Sequence, residues 1–309
     1  MRLAVIDLGT NTFHMLVAEP LPEGGFFPLC RERRFVKLAD EGIHRIGEAP
    51  FARGIETMKA FRCLLDQYGV ERVRAFGTAA LRTASNGPDF IRQVRAQTGI
   101  EVELISGETE AHFICRGVQE AIPFGADPKL IMDIGGGSVE FIIADFRQIH
   151  WVQSFPIGVS VLHRNFRHGE PISGTEQARL EAFLQEQLQP LKQALPLFEV
   201  QEMVGVSGTF DVLENILGNT PRPLHHTVVE AGRILPLFRQ IVRANLEQRL
   251  AMPGIPAYRA DMIVVAMILI RQVLQLANFR NILVSHYDMK EGMLVDLMER
   301  VEQGLGIGD

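Results

Sequence analysis

The stretch that decides the fold is Leu130-Ile131-Met132-Asp133-Ile134-Gly135-Gly136-Gly137-Ser138-Val139-Glu140-Phe141-Ile142-Ile143-Ala144-Asp145. Apolar runs on both sides of three consecutive glycines predict two strands joined by a hairpin turn. Glycine lowers strand stability through backbone entropy, but it gives freedom in φ and leaves the backbone bare. Successive N–H groups of such a turn can point into one concavity that suits a phosphate. The pattern predicts a phosphate-binding turn at Gly135, Gly136 and Gly137, with a hairpin that binds no ligand as the alternative.

Two carboxylates flank this turn. Asp133 precedes the glycines and Glu140 follows them. Both would lie near a bound anion, and that arrangement is favourable when a divalent cation lies between the carboxylates and the phosphate. The pattern therefore predicts a metal site at Asp133 and Glu140.

A turn of the same kind lies near the N-terminus. It consists of an apolar strand, Asp7, a Gly turn with hydroxyl side chains, and a second apolar strand that runs to Ala18. Asp133 lies 126 residues after Asp7, which is about the length of one domain. The repetition predicts two duplicated domains that face each other, each of which contributes one phosphate-binding turn to a shared cleft.

Length and composition indicate a globular protein. The 309 residues are 47% hydrophobic and 22% charged, which suffices for two domains with their own cores. We expect the chain to begin directly with a strand and not with a signal peptide. Its longest apolar run, from Met262 to Ile270, has nine residues, whereas a bilayer requires about 20. We therefore expect a buried helix there and a cytoplasmic protein that does not associate with membranes.

Net charge and cysteine content argue against nucleic-acid binding and against a zinc site. The net charge of −6 argues against general nucleic-acid binding, since that affinity depends on basic surface. Three widely spaced cysteines indicate reduced thiols and no zinc site. The densest basic cluster is either a solvated strand face or a local polyanion contact. It comprises Arg31, Arg33, Arg34 and Lys37.

Periodicity along the chain predicts an α/β fold in which strands alternate with helices. Strands are predicted at 26–38, 73–78, 100–105, 149–156, 203–206 and 280–285. Helices are predicted at 55–68, 88–98, from Ser106 onward, and at 237–250, 259–276 and 289–301. A further helix is predicted at 173–194, with a capping box of Ser173 and Glu176 at its start and with a kink or an end at Pro190. The segment 123–128 contains two prolines and is the best linker. It divides the chain into domains 1–124 and 125–309, and a final helix at about 289–309 is allowed to pack on the first domain.

Two further segments carry candidate functional groups. In the helix that Ser106 caps, Glu110 continues the apolar stripe, so its carboxylate is either a helix-capping charge or a group that projects into a cleft. Ser207-Gly208-Thr209 joins a predicted strand to a predicted helix. That turn is either a third anion contact or an ordinary turn of an α/β fold.

Together these motifs resemble those of the exopolyphosphatase and guanosine pentaphosphate phosphatase family, within the actin-like superfamily of sugar kinases and Hsp70. Residues 7–14, 133–140 and 207–209 resemble the three phosphate loops of that family. Residues 106–111 resemble the segment with its catalytic glutamate, and 291–294 resemble its closing helix motif. The resemblance implies two actin-like, ribonuclease H-like domains, each a mixed sheet flanked by helices, with the active site in the interdomain cleft.

The resemblance also implies a reaction. It is the release of the terminal phosphate from inorganic polyphosphate or guanosine pentaphosphate, with Mg²⁺ or Mn²⁺ as cofactor. Glu110 is expected to act as general base and Arg82 to neutralise the transferring phosphoryl group. Asp7, Asp133 and Glu140 are expected to hold the metal. The expected phosphate contacts are Asp7, Gly9, Thr10, Asn11, Thr12, Gly135, Gly136, Gly137, Ser138, Ser207, Gly208 and Thr209.

Two other functions are compatible with the motifs. One is an actin-like kinase that acts on a small acceptor, which would require a nucleotide subsite and an acceptor pocket. The other is a non-catalytic sensor that binds an alarmone and a partner protein. The motifs do not decide between polyphosphate and guanosine pentaphosphate, and they leave open whether the protein forms a homodimer.

Overall fold

The computed structural model describes residues 1–166, 169–218 and 225–304. Contacts divide the chain into two compact units, which are residues 1–120 together with the C-terminal segment from Asp288, and Ala121–Tyr287. The predicted boundary after residue 124 thus lies a few residues beyond the observed division. The last helix belongs to the first unit, and residues 305–309 of the range expected for it lie outside the described residues.

The first unit contains a mixed sheet of five strands in the order β3-β2-β1-β4-β5. The strands are β1 (Leu3–Leu8), β2 (Thr12–Pro20), β3 (Phe26–Phe35), β4 (Arg72–Gly77) and β5 (Val102–Leu104). β1, β2 and β3 are antiparallel neighbours, whereas β4 and β5 run parallel to β1. β1 is buried almost throughout because it lies at the centre of the sheet.

The second unit contains a mixed sheet of six strands in the order β10-β11-β9-β6-β7-β8. The strands are β6 (Lys129–Ile134), β7 (Val139–Ala144), β8 (Ile149–Phe155), β9 (Glu202–Val206), β10 (His226–Glu230) and β11 (Asn281–Ser285). β6, β7 and β8 are antiparallel, β9 and β11 are parallel to β6, and β10 is antiparallel to β11. With β10 set aside, the order and directions repeat those of the first sheet, so the predicted duplication is confirmed.

Helices flank both sheets. Those of the first sheet are α1 (Glu48–Gln67), α2 (Ala79–Thr83), α3 (Gly87–Thr98) and α4 (Gly107–Ala121). Those of the second are α5 (Val159–Phe166), α6 (Gly174–Gln187), α7 (Gln189–Ala194), α8 (Gly208–Leu217), α9 (Ile234–Arg243), α10 (Leu246–Leu250) and α11 (Ile263–Leu274). The last helix is α12 (Met289–Glu302), which packs on β1 and β2.

The nine-residue apolar run forms the buried helix that the sequence predicts. From Ile263 to Ile270, every residue of α11 is buried in the core of the second unit. Across the described residues, no helix combines the length and the apolar character that crossing a bilayer would require.

Several predicted elements differ from the observed ones, and the helix predicted at 55–68 begins already at Glu48. The sequence does not predict α2, α5 and β10, because each has at most eight residues, which are too few to establish a periodic pattern. The helix predicted at 237–250 is two helices, α9 and α10, and the capping box of Asn245 starts the second. The helix predicted at 173–194 divides at Leu188, and Pro190 lies in the first turn of α7, so the break expected at Pro190 is confirmed.

A buried charge cluster fixes the start of α12. Glu291 caps the backbone of Asp288 and forms an ion pair with Arg31 of β3. Burial opposes the ionisation of Asp288, but the charges of Lys290 and His14 outweigh it and lower the pKa of Asp288 to about 2. Burial raises the pKa of Glu291. Arg31 therefore belongs to this cluster and not to a solvated strand face.

Two glycines allow α12 to approach α4 closely. A Cβ on Gly117 would lie 2.0 Å from the carbonyl oxygen of Asp288, and one on Gly292 would lie 1.8 Å from that of Phe113. Both contacts are with backbone atoms, which cannot move aside as the end of a side chain can. The glycine in the Glu291-Gly292 motif is thus explained by helix packing.

Gly117→Ala is expected to lower the free energy of unfolding by about 1–3 kcal/mol, the usual effect of overpacking. Urea denaturation would measure the change. Gly174→Ala is the control, because a Cβ on Gly174 meets no atom within 4 Å. Equal stability of the two variants would contradict the close helix contact.

Candidate active site

The first turn is closed by one backbone hydrogen bond. The amide of Gly9 donates to the carbonyl oxygen of Thr12 at 3.1 Å. The segment after β3 supports the turn from outside, since the amide of Leu38 donates to Thr10 at 2.8 Å and that of Lys37 to Asn11 at 2.9 Å. Lys37 has a positive φ of 51°, so this supporting segment is held in a sparsely populated conformation.

The second turn is constructed in the same way. The amide of Gly135 donates to the carbonyl oxygen of Ser138 at 3.0 Å. None of Gly135, Gly136 and Gly137 has a positive φ, so the predicted need for conformational freedom is wrong. The three glycines instead supply carbonyl oxygens to a neighbouring segment, because the amides of residues 158–160 donate to them. A Cβ on Gly158 would lie 2.4 Å from Gly136.

The flanking carboxylates form a row across the second sheet. Asp133 of β6 lies directly opposite Glu140 of β7, and Glu140 lies opposite Ser154 of β8. Asp133 is 7% exposed and Glu140 is 1% exposed. In the first sheet the equivalent row is Asp7, His14 and Arg33, so only the second sheet places two carboxylates side by side.

This carboxylate pair suits Mg²⁺. That ion is typically bound by one or two carboxylates, and water and substrate phosphate complete its octahedral shell. Among residues 1–166, 169–218 and 225–304, no three histidine, cysteine, aspartate or glutamate side chains lie close enough to hold a metal ion by themselves. The donor set of Asp133 and Glu140 therefore fits a magnesium ion that shares its coordination with substrate.

Arg82 and Glu110 form an ion pair in the first unit. Nη1 of Arg82 lies 3.6 Å from Oε2 of Glu110 and donates to the carbonyl oxygen of Ile105 at 2.6 Å. Ser106 caps α4, with its hydroxyl accepting from the amide of Thr109 at 3.0 Å. The carboxylate of Glu110 thus pairs with Arg82 from α2, and it also lies in the first turn of α4.

The fold brings these groups to one edge of the first sheet. β1, β4 and β5 are parallel, and the first turn, α2 and α4 each follow one of them. Because the carboxyl ends of parallel strands share an edge, the first turn, Arg82 and Glu110 lie on the same side of the sheet. In the second sheet β9 is parallel to β6, and Val206 pairs with Asp133. The Ser207 turn therefore starts beside the carboxylate row.

The third turn is strained. Ser207 has φ 71° and ψ 175°, a region that is essentially restricted to glycine. The guanidinium group of Arg259 lies against the next residue, because a Cβ on Gly208 would be 1.5 Å from Nη2 of Arg259. Sequence reasoning missed Arg259, since its contact with this turn is tertiary and leaves no local signal.

Two further arginines of the basic cluster, and also His14, have local partners. Arg34 forms an ion pair with Glu32 at 2.9 Å. Arg33 lies over the ring of Phe35 at 5.0 Å from its centroid. The imidazole of His14 lies 3.0 Å from the hydroxyl of Thr12. The predicted basic cluster is therefore divided among separate contacts.

Comparison with known proteins identifies relatives of the whole chain. The Ppx/GppA phosphatase family model matches residues 17–301. The guanosine-5'-triphosphate,3'-diphosphate pyrophosphatase of Photobacterium profundum is 28% identical over 301 residues, which cover 96% of this chain and 59% of that protein. The enzyme of the same name from Aeromonas salmonicida is 27% identical with the same coverage. The chain thus spans 59% of the length of these curated relatives.

Solved structures of the family share the fold. An exopolyphosphatase from Cytophaga hutchinsonii ATCC 33406 is 36% identical, with a TM-score of 0.92 over all of both chains. The Ppx/GppA family member from Aquifex aeolicus is 26% identical, with a TM-score of 0.81 over 99% of each chain. Each sheet with its flanking helices is thus one of two actin-like domains, as predicted. Because the family model matches nearly the whole length of the chain, the protein belongs to the Ppx/GppA phosphatase family.

Proposed function

We propose that the protein is a Mg²⁺-dependent phosphoanhydride hydrolase that removes the terminal phosphate from inorganic polyphosphate or guanosine pentaphosphate. The observation that carries this proposal is the position of the Arg82–Glu110 ion pair at the sheet edge that bears the first turn. A carboxylate held by an arginine beside an anion-binding turn can accept a proton from water while the arginine faces the phosphoryl group. The names of the relatives in the family agree with this chemistry.

In the proposed mechanism each turn binds phosphate through backbone N–H groups and hydroxyls. Gly9, Thr10, Asn11 and Thr12 serve in the first turn, and residues 135–138 and 207–209 in the other two. Asp133 and Glu140 would hold the metal, and Asp7 stays a predicted ligand. Bound Mg²⁺ or Mn²⁺ supplies charge neutralisation for the transferring phosphoryl group. Glu110 orients the attacking water and takes its proton, while Arg82 stabilises the charge that develops.

Phosphate release from short polyphosphate, long polyphosphate and guanosine pentaphosphate, with Mg²⁺ and with a chelator, tests the proposal. We expect release from at least one substrate, and we expect the chelator to abolish it. Transfer of ³²P from ATP to a panel of small acceptors, measured in parallel, detects a kinase. Faster transfer to an acceptor than release to water would replace the proposal by the kinase alternative. The absence of any turnover would favour the sensor.

Ser207→Gly is expected to stabilise the protein and to slow phosphate release. Relief of the strained backbone should add about 1–3 kcal/mol to the free energy of unfolding. Glycine offsets about 0.5–1 kcal/mol of this gain, because it has more conformational entropy in the unfolded chain. The free energy of unfolding should therefore rise by about 1 kcal/mol, while the lost hydroxyl weakens substrate binding and raises KM. Chemical denaturation and steady-state kinetics measure the two effects.

Glu199→Gly is the matched control for Ser207→Gly. Glu199 also has a positive φ, at 48°, but it belongs to none of the three turns. The Glu199→Gly variant should therefore gain stability without a change in KM. If Ser207→Gly likewise left KM unchanged, the third turn would have no part in binding.

A further inference from the structure

A hydroxyl group from the third strand engages one of the two paired carboxylates. Oγ of Ser154 donates to Oε1 of Glu140 at 2.7 Å. The two residues are register partners on β8 and β7, so they project from the same face of the sheet. Sequence reasoning gave Ser154 no role, since only the strand register places it beside Glu140.

The pair of carboxylates needs such support. Asp133 and Glu140 are directly opposed and nearly excluded from solvent, and like charges in opposed positions repel each other. A hydroxyl that donates to a carboxylate forms a short, charge-assisted hydrogen bond and favours its ionised form. It also restricts rotation of the carboxylate, which fixes the direction of its oxygens.

The first sheet provides an internal comparison. At the equivalent positions its row reads Asp7, His14 and Arg33. That row has one carboxylate and no hydroxyl at the third position. The serine hydroxyl therefore occurs in the sheet that carries the carboxylate pair and not in its duplicate.

We propose that Ser154 is a positioning residue that holds the Glu140 carboxylate in the orientation that binds the divalent cation. The inference rests on the metal site of the proposed function. Hydrogen-bond partners of metal ligands typically contribute about 10–100-fold to metal affinity. Ser154 therefore sets how tightly the second domain binds Mg²⁺ or Mn²⁺, although it does not touch the ion.

The test compares Ser154→Val with Ser154→Thr. The two side chains have nearly the same shape and both suit a strand, but only threonine retains the hydroxyl donor. Mn²⁺ is titrated onto each full-length protein without substrate, and free Mn²⁺ is measured by electron paramagnetic resonance. We expect Ser154→Val to raise the Kd for Mn²⁺ about 10–100-fold and Ser154→Thr to stay close to the wild type.

Two further variants make the result specific. Gln153→Ala changes the neighbouring residue, which projects from the opposite face of β8, and it should leave the Kd for Mn²⁺ unchanged. Glu140→Gln removes the proposed ligand and should bind Mn²⁺ more weakly than Ser154→Val. Equal affinity of the valine and threonine variants would overturn the inference. So would a wild-type protein that binds no Mn²⁺, or an equal loss in Gln153→Ala.

This test is separate from that of the proposed function. If the wild type hydrolysed phosphoanhydrides, but the valine and threonine variants bound Mn²⁺ equally well, only the role of Ser154 would be rejected. If Ser154→Val bound Mn²⁺ more weakly than the wild type, but the wild type hydrolysed no phosphoanhydride, the role of Ser154 would be supported and the proposed reaction would be rejected.

Discussion

Glu110→Gln is expected to lower kcat about 10²–10⁴-fold, which is the usual contribution of a general base. Glutamine keeps the size and hydrogen-bonding reach of the side chain but cannot accept the proton of the attacking water. The phosphate contacts belong to other segments, so the Kd for substrate should remain near that of the wild type. Steady-state kinetics and direct titration with substrate measure these two quantities.

The control for this variant is Glu108→Gln. Glu108 lies in the same first turn of α4 but is exposed, so its loss should leave kcat unchanged. The free energy of unfolding of Glu110→Gln should stay within about 1 kcal/mol of that of the wild type, which is the scale of a lost charge near a helix N-terminus. A glutamine variant that unfolds early yet turns over at the wild-type rate would remove Glu110 from the mechanism.

Asp133→Asn is expected to abolish most metal-dependent turnover. Charge neutralisation by a bound metal ion is worth several kcal/mol in the transition state, so phosphate release at a fixed Mg²⁺ concentration should fall about 10²–10³-fold. The substitution also removes the repulsion between Asp133 and Glu140, so the fold should persist or gain stability. Phosphate release as a function of Mg²⁺ concentration checks the loss of turnover, and circular dichroism checks that the fold persists.

Asp127→Asn provides the comparison for Asp133→Asn. Asp127 is an exposed carboxylate in the segment before β6, and its replacement should not alter the dependence on Mg²⁺. If Asp133→Asn kept the wild-type dependence on Mg²⁺, the assignment of the metal to this row would be incorrect.

The two hairpins show why much of the fold is readable from the sequence. Apolar runs on either side of an Asp-Gly turn are local signals, so the strands around Gly9 and Gly135 are predicted correctly, and their repetition predicts the duplicated sheet. The capping box of Ser173 is likewise local, and the structure confirms it.

The missed features depend on tertiary contacts. Arg259 meets Gly208 from a distant segment, and Ser154 meets Glu140 only through strand register. The glycines at 135–137 have no positive φ, and their carbonyl oxygens accept hydrogen bonds from the distant residues 158–160. Short elements such as α2, which carries Arg82, have too few residues for a periodic signal.

The most direct test of the central claim is phosphate release in water enriched in ¹⁸O, followed by mass spectrometry of the products. The reaction uses polyphosphate or guanosine pentaphosphate with Mg²⁺. If Glu110 activates water to attack the terminal phosphoryl group, the orthophosphate released by the wild type will carry solvent oxygen, and Glu110→Gln will form it far more slowly. Transfer of the terminal phosphate to an acceptor without solvent oxygen, or label in the shortened product instead of the orthophosphate, would contradict the account.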